Sequence, residues 1–277
     1  MSTIPDALKE IVVFIFIKGS GGEDEAIGTG FFVGVVDKHR KKGAFPYLVT
    51  ARHVLTDRQG RYYPDIYIRM NKISGGSEII RVPLSGEGAL PIYKHVDEKV
   101  DIVVLPVRPR DDVYQYRVLT DNMISTREQF VEAGIREGDE VFFTGLFASF
   151  FGAERNYPVV RFGRVAMLPQ ERIPWKGEML SLYLIECQSF GGNSGSPVFF
   201  YLGVARDPLS FIWSGPKFLL MGIMKGSFLE PNEVQLVDRS RIPVSFENAG
   251  IAAVVPAYYL HEILFSEELK RARASAK

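Results

Sequence analysis

Apolar residues in this chain come in short runs, rich in Val, Ile, Phe and Tyr, and each run is closed off by Gly, Pro, Asp or Asn. Runs of that length and β-branched content suit strands and are too short for the helices of a bundle. Strands are therefore expected near residues 11–17, 30–36, 47–50, 65–70, 79–83 and 102–107. A more polar stretch covers residues 108–139, with room for one short helix at 125–133. Strands resume near residues 140–146, 158–168, 180–186, 197–201, 218–225 and 251–255. Each set of about six is enough to close a small barrel.

This pattern divides the 277 residues into a β-barrel over 1–115, a second over 116–255, and a terminal helix over 256–277. The helix is expected because Tyr258, Tyr259, Ile263, Leu264 and Leu269 fall near helical spacing, and packing on the second barrel would bury Tyr258, Tyr259, Ile263 and Leu264. Lys270, Arg271, Arg273 and Lys277 then complement its C-terminal dipole. The basic run at residues 38–42 reads as a solvated hairpin tip.

Lys plus Arg and Asp plus Glu both total 33, so no net charge favours a nucleic acid backbone or an anionic membrane as partner. Cys187 is the single cysteine, which excludes an intramolecular disulfide and a cysteine metal cluster. The histidines His39, His95 and His261 show no spacing that suggests metal ligation, and no glycine loop for phosphates is evident, so no cofactor is expected. The N-terminal residues lack the pattern of a secretory signal, and the expected location is the cytoplasm.

Three segments carry chemistry. Residues 47–55 run from an apolar strand through Thr50, Ala51 and Arg52 to His53. Asp101 precedes the apolar run Ile102-Val103-Val104-Leu105, with Asp97 as a nearby second acid. Gly191-Gly192-Asn193-Ser194-Gly195-Ser196-Pro197 is a glycine-rich turn leading into a strand. Each alone has a plain reading as a loop histidine, a strand start or a turn. A serine that attacks a carbonyl needs a base, a group to hold that base and donors for the developing oxyanion, and the three segments together offer those parts.

Together the segments resemble the trypsin-like, or chymotrypsin-like, serine peptidases. Thr50-Ala51-Arg52-His53 is similar to the family's histidine segment, Asp101-Ile102-Val103-Val104-Leu105 to its aspartate strand, and Gly192-Asn193-Ser194-Gly195-Ser196-Pro197 to its nucleophile loop. Gly28-Thr29-Gly30-Phe31-Phe32-Val33 and Leu220-Met221-Gly222-Ile223 are similar to further family strands. The chain order His, Asp, Ser is also the chymotrypsin-like order, and a Gly-x-Ser-x-Gly elbow is absent. The resemblance implies an all-β fold of two six-stranded antiparallel β-barrels with the active site between them. It further implies an endopeptidase acting on protein or peptide substrates through an acyl-enzyme, with Ser194 as nucleophile, His53 as base and Asp101 holding the histidine. The N–H groups of Gly192 and Ser194 would form the oxyanion hole.

By the same resemblance, Gln188, Lys225, Gly226 and Ser227 would line the substrate pocket. Lys225 there would suit an acidic side chain, although solvent is the ordinary place for a strand lysine. Asn193 stands where the digestive branch has an aspartate that pairs with a new N-terminus, so control by loop ordering, a partner or a larger assembly is expected instead. The alternative reading is a latent or non-cleaving sensor on the same fold. Cys187 lies outside the nucleophile position and is expected to be a buried apolar residue.

Overall fold

The computed structural model describes residues 4–36, 43–202, 217–233 and 244–275, so the basic run at 38–42 lies outside the described residues. After a one-turn helix α1 (Ala7–Glu10), the first half holds β1 (Val12–Lys18), β2 (Asp24–Val36), β3 (Ala44–Thr50), β4 (Asp65–Asn71), β5 (Ser77–Pro83), β6 (Tyr93–Lys94), β7 (Val103–Leu105) and β8 (Leu119–Thr120). These form an eight-stranded sheet in the order β5-β4-β1-β2-β3-β7-β6, with β8 parallel to β2. All six strands expected in this half are present.

No ladder among the described residues joins β5 to β6, so closure of a second barrel by strand pairing is not shown. The physical reason lies in residues 84–99, where turns and the two-residue β6 stand in place of a full strand. Too few backbone groups are aligned there to complete the ring.

The second half meets the expectation. After α2 (Arg127–Glu132) come β9 (Glu140–Gly145), β10 (Val159–Met167), the hairpin β11 (Ile173–Trp175) and β12 (Glu178–Leu180), then β13 (Tyr183–Glu186), β14 (Pro197–Leu202), β15 (Lys217–Glu233) and β16 (Val244–Pro256). Six of them close in the order β10-β13-β16-β15-β14-β9. Thr126 and Gln129 start α2 with reciprocal side-chain to backbone bonds, which satisfies donors that the first helical turn leaves open.

The core explains the paired phenylalanines. Phe14, Phe16, Phe31 and Phe32 in the first half and Phe142, Phe143, Phe199 and Phe200 in the second are all fully buried. Consecutive buried residues such as Phe31 and Phe32 require both faces of β2 to be covered, one by the core of its own half and one by neighbouring elements. Burial of each such ring contributes about 1.5–3 kcal/mol.

The chain ends in two helices, α3 (Ala257–Leu264) and α4 (Glu267–Ser275), where one was expected. Tyr259, Leu260, Ile263, Leu264 and Leu269 are buried, and Tyr258 is half-buried. The helices also reach the first half: Arg273 donates to Tyr47 Oη at 3.3 Å, and His95 Nε2 lies 2.8 Å from Glu262. Packing on both halves, through α4 as well as α3, is what the spacing of apolar residues did not reveal.

Candidate active site

His53 and Asp101 meet because β3 and β7 are antiparallel with Thr50 opposite Val103. In that register the chain leaving β3 runs beside the chain entering β7, and Arg52 N–H donates to Asp101 O at 3.3 Å. His53 sits on the 3-10 turn Arg52–Leu55. Its backbone N–H donates to Asp101 Oδ1 at 3.0 Å, and its ring Nδ1 lies 2.6 Å from Asp101 Oδ2.

Asp101 is buried while the His53 ring stays 43% exposed, so the acid is shielded and the ring remains open to a reactant. Burial alone would push the Asp101 carboxyl up. The hydrogen bond from His53 and the charges of His53 and Lys225 outweigh burial and hold it well below the usual carboxylate range. An ionised carboxylate only accepts, so the His53 nitrogen facing it is the protonated Nδ1, which leaves Nε2 as the acceptor.

Ser194 arrives from the other half. The loop that carries Ser194 is stitched to β15 where Gly195 N–H donates to Met224 O at 2.8 Å and Met224 N–H donates to Ser196 O at 2.9 Å. It is tied to the first half by Thr29, whose N–H donates to Ser194 O at 2.9 Å and whose Oγ1 donates to Gly192 O at 2.8 Å. Gly195 must be glycine: its φ is +84°, and a Cβ would lie 2.1 Å from Thr29 O. Gly192 also has a left-handed φ of +90°. Among the described residues, neither Gly192 N–H nor Ser194 N–H donates a hydrogen bond.

Lys225 links the two sides, a role that its position on a strand gave no sign of. Its Nζ lies 2.7 Å from Asp101 Oδ2, and its side chain is only 13% exposed, which corrects the expectation of a solvent-facing lysine. Its backbone O accepts from Ser194 Oγ at 3.2 Å, and among the described residues no hydrogen bond joins Ser194 Oγ to His53.

The other expected pocket residues are partly assembled. Ser227 Oγ donates to Ser189 O at 3.1 Å, joining β15 to the segment upstream of Ser194, whereas Gln188 is exposed. Gly226, with φ +152°, faces Trp175, whose ring also packs edge-on against Phe228 at 4.7 Å between centroids. The sequence reading did not place Trp175 beside Gly226; it reaches there from the β11–β12 hairpin, whose Lys176-Gly177 turn has φ of 48° and 86°. Burial pushes the Cys187 thiol up to about 12, the behaviour of an inert core thiol. Among the described residues, no group of three or more His, Cys, Asp or Glu side chains is placed to hold a metal.

The fold has a counterpart among solved structures. The crystal structure of the MamO protease domain from Magnetospirillum magneticum, in its apo form, superposes with a TM-score of 0.51, covering 92% of this chain and 96% of that one at 15% identity. This chain shares its fold with that protease domain. The structure of Rv3671c from M. tuberculosis H37Rv, a Ser343Ala mutant in an inactive form, has a TM-score of 0.47 over 94% of this chain and 88% of that one, at 14% identity. No protein-family model matches the chain, and no curated protein matches it. The likeness is thus one of fold.

Proposed function

We propose that this chain is a serine endopeptidase of the chymotrypsin-like kind that cleaves protein or peptide substrates with Ser194, His53 and Asp101. The observation that carries the reading is the 2.6 Å contact of His53 Nδ1 with buried Asp101, which Lys225 joins in turn to Ser194. His53 Nε2 takes the Ser194 proton as Oγ attacks the scissile carbonyl, then returns a proton to the leaving amine. The N–H groups of Gly192 and Ser194 hold the oxyanion, a contribution worth about 10²–10³ in kcat per donor in such sites. Water then attacks the acyl-enzyme by the same route in reverse.

Substrate main chain pairs with β15 around Lys225, Gly226 and Ser227, as an added strand would. Lys225 O, which now accepts from Ser194 Oγ, becomes available to a substrate N–H when that hydroxyl turns to His53. The same bond favours a second reading, in which the isolated domain rests in a latent state and a partner within a larger assembly triggers it.

The test is covalent labelling with a fluorophosphonate probe, read by intact mass on wild type and Ser194→Ala. Labelling of wild type alone is expected. No labelling of wild type, in the presence of candidate partners as well as alone, overturns the reading. Comparing a peptide amide with its matched ester then separates a peptidase from an esterase, since only the amide requires protonation of an amine leaving group.

A further inference from the structure

Asp101 Oδ2 is shared by two donors: His53 Nδ1 at 2.6 Å and Lys225 Nζ at 2.7 Å. Asp101 Oδ1 is taken by the His53 backbone N–H. The carboxylate that supports His53 is therefore neutralised from its other side by a nearly buried ammonium.

We infer that Lys225 attenuates the triad, its ammonium opposing proton uptake by His53 and its carbonyl parking the Ser194 hydroxyl. This rests on the proposed role of His53 as the base for Ser194. When Ser194 attacks, the ring of His53 gains a full positive charge. Asp101 stabilises that charge, and Lys225, bonded to the same oxygen, cancels much of the benefit. The ground state suffers no such penalty, because a neutral ring carries no charge for Lys225 to repel. The effect thus falls on the transition state.

The other charged groups around the site are already engaged. Arg52 and Lys94 both reach Glu98, at 3.3 and 2.7 Å, and Arg172 pairs with Asp97 at 2.8 Å. Lys99 and Tyr259 border the same small cavity as Lys225. Tyr62 stays a neutral phenol, burial pushing its hydroxyl up. Among the described residues, Lys225 and His53 are the side chains that donate to Asp101.

The test compares wild type with Lys225→Met, Lys225→Arg and Lys225→Gln in two readouts. Gln keeps a donor without charge, in case Met does not fold. In fluorophosphonate labelling, Lys225→Met and Lys225→Gln should react about tenfold faster than wild type, and Lys225→Arg, which keeps the charge, should react more slowly than either. By NMR of the imidazole protons, His53 should keep its proton to a higher pH in both uncharged variants than in wild type or Lys225→Arg. The NMR readout needs no catalysis, so it decides the part played by Lys225 even where no protein labels and the peptidase reading fails. A His53 titration that is the same in wild type and the uncharged variants overturns the inference, and so do uncharged variants that label no faster than a labelled wild type.

Discussion

The side chain of Asn193 donates from Nδ2 to Leu146 O at 2.6 Å. Its Oδ1 accepts from Phe190 N–H at 2.9 Å, so one neutral side chain, donating and accepting, braces the Ser194 loop against the end of β9. This is how the loop is held without the ion pair that an aspartate at this position would call for. Asn193→Asp replaces a donor by a second acceptor in a residue only 2% exposed. The carboxylate would face the Leu146 carbonyl, and the variant should lose about 2–4 kcal/mol in urea unfolding. Fluorophosphonate labelling should fall with it, since the loop carries both proposed oxyanion donors. Unchanged stability in Asn193→Asp would mean the loop is ordered by other contacts.

Asp101 makes stability depend on pH. Its folded carboxyl is held below its ordinary value, so the folded state binds the proton less readily than the unfolded chain does. Its contribution is therefore complete above the ordinary aspartate range, near pH 4, and is lost progressively as pH falls below it. Asp101→Asn should flatten this part of the acid limb of a stability profile. The check is urea unfolding of both proteins at several acid pH values, and parallel limbs would count against the assignment. Labelling at neutral pH should fall by about 10⁴ in the variant, because the amide no longer selects the productive histidine tautomer.

Gly195 and Gly75 form a matched pair for testing the close approach at the nucleophile. Both have left-handed φ values, +84° and +97°, but a Cβ at 195 would strike Thr29 O and Thr50 Oγ1, whereas one at 75 meets nothing within 4 Å. Gly75→Ala should cost about 1 kcal/mol from backbone conformation alone. Gly195→Ala should cost about 3 kcal/mol or more, because the two backbones must separate where the halves meet. Thermal melts of the two variants decide this, and equal shifts would remove the close approach as the reason for glycine at 195.

Much of the fold was legible because strands advertise themselves by local pattern. The runs at residues 11–17 and 140–146 appear as β1 and β9 within a residue or two at each end. What escaped was short or extended by pairing alone. β6 and β8 have two residues each, and β15 and β16 run well beyond the expected 225 and 251 because they pair with one another. No apolar period marks such pieces; the neighbouring backbone supplies their hydrogen bonds.

The sequence by itself determined the strand-rich class, the order of His53, Asp101 and Ser194, and the glycines that a tight nucleophile loop requires. These are properties of local patterning and steric freedom, which act within a few residues. Only the tertiary structure decided the order in which β10, β13, β16, β15, β14 and β9 close as a barrel. It alone turned Lys225 inward onto Asp101. A lysine's side chain reaches far, and whether it lies in water or in an ion pair depends on what a segment 124 residues away presents to it.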